Sequence, residues 1–278
     1  MSKLQDIQDF METLKFSAGV PNNTITKSDI YNELSYYNIP KNLRGQHLES
    51  MIDNNTGKLL TPQVKEVQEA LTAYNNTFTI SVDDSERRFY GTGHSSNDTL
   101  TFSTYERENP IGHPDPKPYG QLFIPFQLNR IALSAELIKF LIGNNINVSG
   151  KLSNIVSNNM LELTVYSQED AQKISDFIQI NMKQSDFQKT NPFMPQHGYI
   201  GAMGHPNYID DISNLLAQFI EQVQTYGSTN DISIDNFLIA LENSIATAHN
   251  KEGLQQIINT LSHLIATENV IPEEMDNL

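Results

Sequence analysis

The chain contains no cysteine, and that absence removes disulfides, thiolate metal sites and cysteine nucleophiles together. It suits a reducing compartment. Tryptophan is also missing, which decides nothing. Basic residues are scarce: 18 Lys+Arg stand against 33 Asp+Glu in 278 residues, a formal charge of -15. Such a chain repels a phosphate backbone unless its cations gather on one face, and no gathering is visible, so nucleic acid is not expected as a partner. No apolar run approaches the roughly 20 residues needed to cross a bilayer, and Met1-Ser2-Lys3-Leu4-Gln5-Asp6 holds no apolar leader core. The expectation is a cytoplasmic protein without membrane contact, with leaderless export into a host left open.

Catalytic signatures are missing as well. There is no Gly-x-Ser-x-Gly elbow, no Gly-Lys-Ser/Thr phosphate loop, no dinucleotide-type glycine pattern opening a helix, and no kinase set. No cofactor is implied. His197 and His205, with Asp210 and Asp211 nearby, match no metal-ligand spacing, and no metal is expected. A paired-carboxylate site stays open, because separation in space is invisible in a sequence this rich in acids. Asparagine is abundant without low complexity, which reads as the codon bias of a low-GC bacterium or its phage.

What is present is a change of hydrophobic period that names a topology. Tyr119–Phe126 reads as a strand, and residues 129–144 carry Ile131, Leu133, Leu137, Ile138, Leu141 and Ile142 at helical spacing. Two strands follow at 146–152 and 159–166, then a helix at 168–182 and a last apolar run at 199–203. That order is β-α-β-β-α-β, a split βαβ unit. The fold class is therefore α+β.

Ahead of this unit, residues 3–15, 27–38 and a stretch opened by Thr61-Pro62 read as amphipathic helices, with Ser2 and Gln5 as a capping box on the first. Tyr31, Tyr36 and Tyr37 are read as core. From Asn76 the period turns toward two, so 77–82, 88–93 and 99–105 are expected as an antiparallel meander adjoining the first strand of the unit. After it come a helix at 208–226 and a helical hairpin at 235–249 and 252–267. Gly227-Ser228-Thr229-Asn230 reads as a linker. The expected domains are a body, 1–227 (helical 1–75, meander and loop 76–118, split unit and helix 119–227), and a hairpin, 228–278.

Two irregular segments frame the unit. Glu106–Pro118 packs Pro110, Pro114, Pro116 and Pro118 beside Arg107, His113 and Lys117, and Asn191–Pro206 is rich in Pro and Gly. RNA recognition on the sheet is excluded, since Leu122-Phe123-Ile124 and Leu161–Tyr166 lack the basic-aromatic pattern that stacks bases.

The order of features from 105 to 223 resembles the HopA class of type III effectors and the related lyases of class V lanthipeptide pathways. The resemblance lies in Tyr105-Glu106-Arg107, Gln121–Phe126, Phe140-Leu141, Val148–Leu152, Asn159–Tyr166, Asn191-Pro192-Phe193 and Ile200–Met203. Where family members often carry an Arg and an Asp, this chain has Ser157-Asn158-Asn159. The resemblance implies β-elimination of phosphate from a phosphorylated Ser or Thr in a peptide, with Lys151 as base, His113 as acid, and Arg107 and Lys117 on phosphate. Arg130 joins them as a substrate-binding candidate because cations are rare here. Against this stands a non-catalytic interaction protein, an effector or inhibitor that occupies a host protein through its acidic surface and C-terminal hairpin. With the Arg/Asp pair and every catalytic motif missing, the interaction protein is the expected function and the lyase the alternative.

Overall fold

The structure is a computed structural model. It describes residues 3–52, 56–80, 99–103, 117–153, 155–158, 160–203, 208–248 and 250–266. The Ser2 end of the first capping box, the strand expected at 88–93, Arg107, His113, His205 and the tail after 266 lie outside these residues. The chain divides into two units, one made of 1–35, 191–195 and 207–278, the other of 36–190 and 196–206.

The second unit holds the sheet. Helix α3 (Thr61–Ile80) is followed by strand β1 (Thr99–Ser103), β2 (Gly120–Ile124), helix α4 (Leu133–Gly143), β3 (Val148–Ser153), β4 (Leu161–Val165), helix α5 (Gln168–Asn181), β5 (Gln196–His197) and β6 (Ile200–Met203). The strands form one six-stranded sheet in the order β1-β3-β4-β2-β6-β5, with every adjacent pair antiparallel. Within it β3-β4-β2-β6 is the split βαβ arrangement: β4 lies between β2 and β3, the strands that α4 connects. The α+β reading stands.

One face of the sheet builds the core. Leu122 and Ile124, Val148 and Leu152, Leu161, Leu163 and Val165, and Ile200 are buried against Leu137, Ile138 and Leu141 of α4, Ile174 and Ile178 of α5, and Val64, Val67 and Leu71 of α3. Period two on the strands and 3.6 on the helices let each element bury one face only. Tyr74, fully buried at the end of the α3 stripe, accepts from the Val148 N–H at 3.2 Å and donates toward the Ile146 carbonyl at 3.2 Å. Its hydroxyl thereby fixes where β3 begins. The reversal from α4 into β3 turns at Asn145, whose φ of 53° suits a residue that tolerates the left-handed region.

Two expectations fail here. Residues 77–80 are the last turn of α3, not a strand. Once the turn after Leu60 has formed and Val64, Val67, Leu71 and Tyr74 are buried, each further residue adds a hydrogen bond for little entropy, which outweighs the weak helix propensity of Thr and Ile. The third expected meander strand does form, as β1, but it pairs with β3 and not with the first strand of the split unit. The tyrosines also sit further out than a core reading requires: Tyr31 is 43% exposed, and Tyr36 and Tyr37 are half-buried.

The other unit is helical. It comprises α1 (Lys3–Ala18), α2 (Lys27–Ser35), α6 (Tyr208–Tyr226), α7 (Ile234–Ser244) and α8 (Lys251–Ala266). α6 buries Ile212, Leu216, Phe219, Ile220 and Val223 at three- and four-residue spacing, and Phe219 meets Phe237 of α7 at 5.4 Å. Helices α7 and α8, the expected hairpin, both touch α1. Capping follows the sequence: Ser233 accepts from the Asn236 N–H, and Gly227 closes α6 by donating to the Val223 carbonyl.

Candidate functional site

The sheet face away from the core is polar apart from the buried Phe123. Gln121, Ser149, Lys151, Glu162 and Thr164 project there, because each alternates with a buried neighbour along its strand. Lys151 stands in register between Thr101 of β1 and Glu162 of β4, and it is solvent-exposed. Ser149 shares a 2.5 Å hydrogen bond with the Tyr166 hydroxyl. Burial and cationic neighbours are what prime a lysine as a base, whereas Lys151 is in water opposite a carboxylate.

Of the other sequence-derived candidates, Lys117 and Arg130 lie among the described residues. Lys117 is exposed just before β2. Arg130 is committed to structure, its Nε 3.1 Å from Asp186 Oδ1. Among the described residues no three His, Asp or Glu side chains converge on a point where a metal ion would sit. The first half of the irregular segment beginning at Asn191 is packing: Asn191, Phe193 and Met194 are buried. Phe193 meets Phe10 edge-on at 5.6 Å, and the Lys3 ammonium donates to the Asn191 carbonyl at 2.7 Å. An Asn-Pro-Phe run reads as loop from composition alone; only the distant partner Phe10 makes it core.

Charge is where the two units part company. The sheet unit carries 14 Lys/Arg against 17 Asp/Glu, nearly balanced. Many of its cations are met locally: Lys139 by Glu66 at 3.3 Å, Lys65 by Glu69 at 3.9 Å, Lys173 by Glu169 at 2.7 Å. Their mutual hydrogen bond holds the Glu169 carboxyl below and the Lys173 ammonium above their usual ranges. The helical unit carries 4 Lys/Arg against 16 Asp/Glu, so it accounts for -12 of the total charge of -15. Between Lys189 and Lys251 there is no Lys or Arg at all.

Three of the four cations of that unit are already engaged. Lys27 meets Asp210 at 2.6 Å and Lys15 meets Glu12 at 3.4 Å, while Lys3 caps the Asn191 carbonyl. Exposed carboxylates remain on every helix: Asp9 on α1, Asp29 on α2, Glu221 on α6, Asp235 and Glu242 on α7, and Glu252 on α8. Four cations cannot neutralise sixteen carboxylates, so the unit presents a negative field to solvent. The net charge was legible in the sequence. Its segregation was not, since the unit is assembled from three separate stretches of chain.

Comparison with known proteins places few constraints on this reading. No protein-family model and no curated protein matches the sequence. Among solved structures, the chain is similar to the effector protein from Pseudomonas syringae pv. syringae strain 61, at 13% identity over 87% of this chain and 93% of that one, with a TM-score of 0.49. No helix among the described residues is long and apolar enough to cross a membrane.

Proposed function

We propose that the protein is a non-catalytic interaction protein, of the kind that acts as an effector or inhibitor, and that its acidic helical unit binds a basic surface of another protein. The observation that carries this reading is the segregation of -12 charges onto one unit, three of whose four cations are internally engaged. A field of one sign steers an oppositely charged partner and disfavours all others. Solubility alone does not require the charge to sit on one unit.

The test compares two neutralised variants of the full chain in affinity capture from cell extract. One replaces Glu221, Asp235, Glu242 and Glu252 by their amides; the other does the same to Glu66, Glu69, Glu169 and Asp176 on the sheet unit. A protein captured by the wild type and by the sheet-unit variant, released by salt and lost with the helical-unit variant, supports the proposal. Equal capture by both variants, or none by the wild type, refutes it.

A further inference from the structure

The sheet unit contains a groove of about 680 Å³, a size suited to a small ligand or a short peptide segment. Its floor is aliphatic and aromatic, with Ile39, Leu43, Met51, Leu128, Val156 and Phe187 among the lining side chains. Amides stand on the walls, and the charged residue of the lining is Lys189. Among the described residues, no acidic side chain lines this groove, in a chain with 33 of them. The adjoining segment is also locally basic, since the described part of 36–60 carries Lys41, Arg44 and Lys58 against Glu49.

The wall amides have a fixed polarity. Gln127 Nε2 donates to the Phe187 carbonyl at 3.1 Å, and Gln188 Nε2 donates to the carbonyls of Phe126 and Ser157 at 3.0 and 3.1 Å. Gln188 thus spends both amide N–H groups on the protein and Gln127 one of its two, which turns their oxygens into the acceptors for a ligand N–H. Apolar surface continues out of the groove, because Ile52 on its lining pairs with Leu59 in an antiparallel bridge and the two are 57% and 53% exposed. A compact metabolite ends at the mouth. A chain-shaped ligand continues over that rim.

We infer that this groove binds an extended peptide segment in which a bulky apolar side chain is flanked by carboxylates. The apolar residue enters the floor, backbone N–H groups meet the glutamine oxygens, and a flanking carboxylate meets Lys189. Charge complementarity selects this occupant: an acidic peptide is disfavoured by the net field of a chain of charge -15 and is accepted beside Lys189, where no acid among the described residues lines the groove. The site lies within the sheet unit and is independent of the acidic helical unit, so either proposal can fail alone.

Fluorescence polarisation with a fluorescein-labelled peptide, Glu-Asp-Leu-Phe-Glu-Asp, tests it on the full chain. A second peptide carries Lys at each acidic position, and dodecanoate serves as an apolar carboxylate that is not a peptide. Saturable binding of the acidic peptide alone, weakened about tenfold or more by Lys189→Glu and by Ile52→Asp, supports the inference. Both side chains are exposed, so these variants should melt as the wild type does. Should either unfold, slowed amide hydrogen exchange across residues 38–52 of the wild type on peptide addition carries the same test. Equal binding of the Lys-substituted peptide, affinity unchanged in both variants, no saturable binding, or binding of dodecanoate without the peptide each overturns it.

Discussion

Arg130 and Asp186 form an ion pair, Nε to Oδ1 at 3.1 Å, in which the carboxylate is buried and the guanidinium half outside. The other carboxylate oxygen accepts from the Lys183 N–H at 2.8 Å and so caps the short turn before Phe187. The two ends of this pair are expected to respond unequally. Asp186→Ala removes the cap and the ion pair together and should cost about 1–2 kcal/mol. Arg130→Ala leaves the cap in place and, with a cation half in solvent, should cost about 1 kcal/mol or less. Chemical denaturation of both variants checks the order; a larger loss for Arg130→Ala would assign the arginine a role that this geometry does not give it.

A pH dependence is expected at the start of α2. The Asp29 carboxylate accepts from the Thr26 hydroxyl at 2.6 Å and from the Thr26 N–H at 2.8 Å, and these bonds hold its pKa below the ordinary value of 3.8. A depressed folded-state pKa means that the contribution is fully present above the unfolded value and is lost as pH falls through the folded one. Because Asp29 is exposed, solvent screening keeps the effect to a few tenths of a kcal/mol. The stability gap between wild type and Asp29→Asn should therefore be open at neutral pH and close below about pH 4, as read from urea midpoints across pH.

Tyr208 is buried at the start of α6 and its hydroxyl has no hydrogen-bond partner among the described residues. Burial alone pushes that phenol well above its usual range. Tyr208→Phe removes an unsatisfied polar atom while keeping the ring, so it should be neutral or stabilising by up to about 1 kcal/mol. Thermal melting reads it. A clear loss of stability would mean that the hydroxyl is satisfied in solution.

Phe193 is fully buried beside Phe10 in a stretch without regular structure. Phe193→Ala should cost about 3–5 kcal/mol, as for any large core aromatic. Phe16 on the same helix as Phe10 is 79% exposed, and Phe16→Ala should change stability by less than about 0.5 kcal/mol. Near-equal effects of the two changes would remove Asn191–Pro195 from the core.

A chain ending at Gly227 loses α7 and α8 and with them Phe237, Leu241, Leu254, Ile257, Ile258 and Leu261, all buried. Phe219 is left without the ring it packs on. The truncated protein is expected to lose cooperative melting of the helical unit and to bind a hydrophobic dye. Unchanged melting of the remaining helices would show that 228–278 is a separable module.

The split βαβ unit was legible because its signal is local. Val148, Leu152 and Leu163 each alternate with polar neighbours, Leu137, Ile138 and Leu141 recur at helical spacing, and a period needs only a few residues to declare itself. The same logic misread Thr77-Phe78-Thr79-Ile80, where alternation is present but the helix already propagating from Thr61 decides the outcome. The position of β1 was not legible either. An alternating strand pairs equally well with any open edge, and nothing in Thr99–Ser103 names β3.

The candidate site followed the same division. That Lys151, Lys117 and Arg130 are cations in an acidic chain is sequence information; that one faces Glu162, one faces water and one is spent on Asp186 is not. Composition and period determined the overall charge, the α+β class and the order of elements along the central unit, because each depends on residue type or on neighbours a few positions apart. Tertiary structure alone decided that the charge is concentrated on one helical unit and that a groove with no acid among its described lining residues lies in the other. The reason is distance along the chain: Lys27 meets Asp210 across 183 residues and Lys3 meets Asn191 across 188, contacts between positions that no local pattern relates.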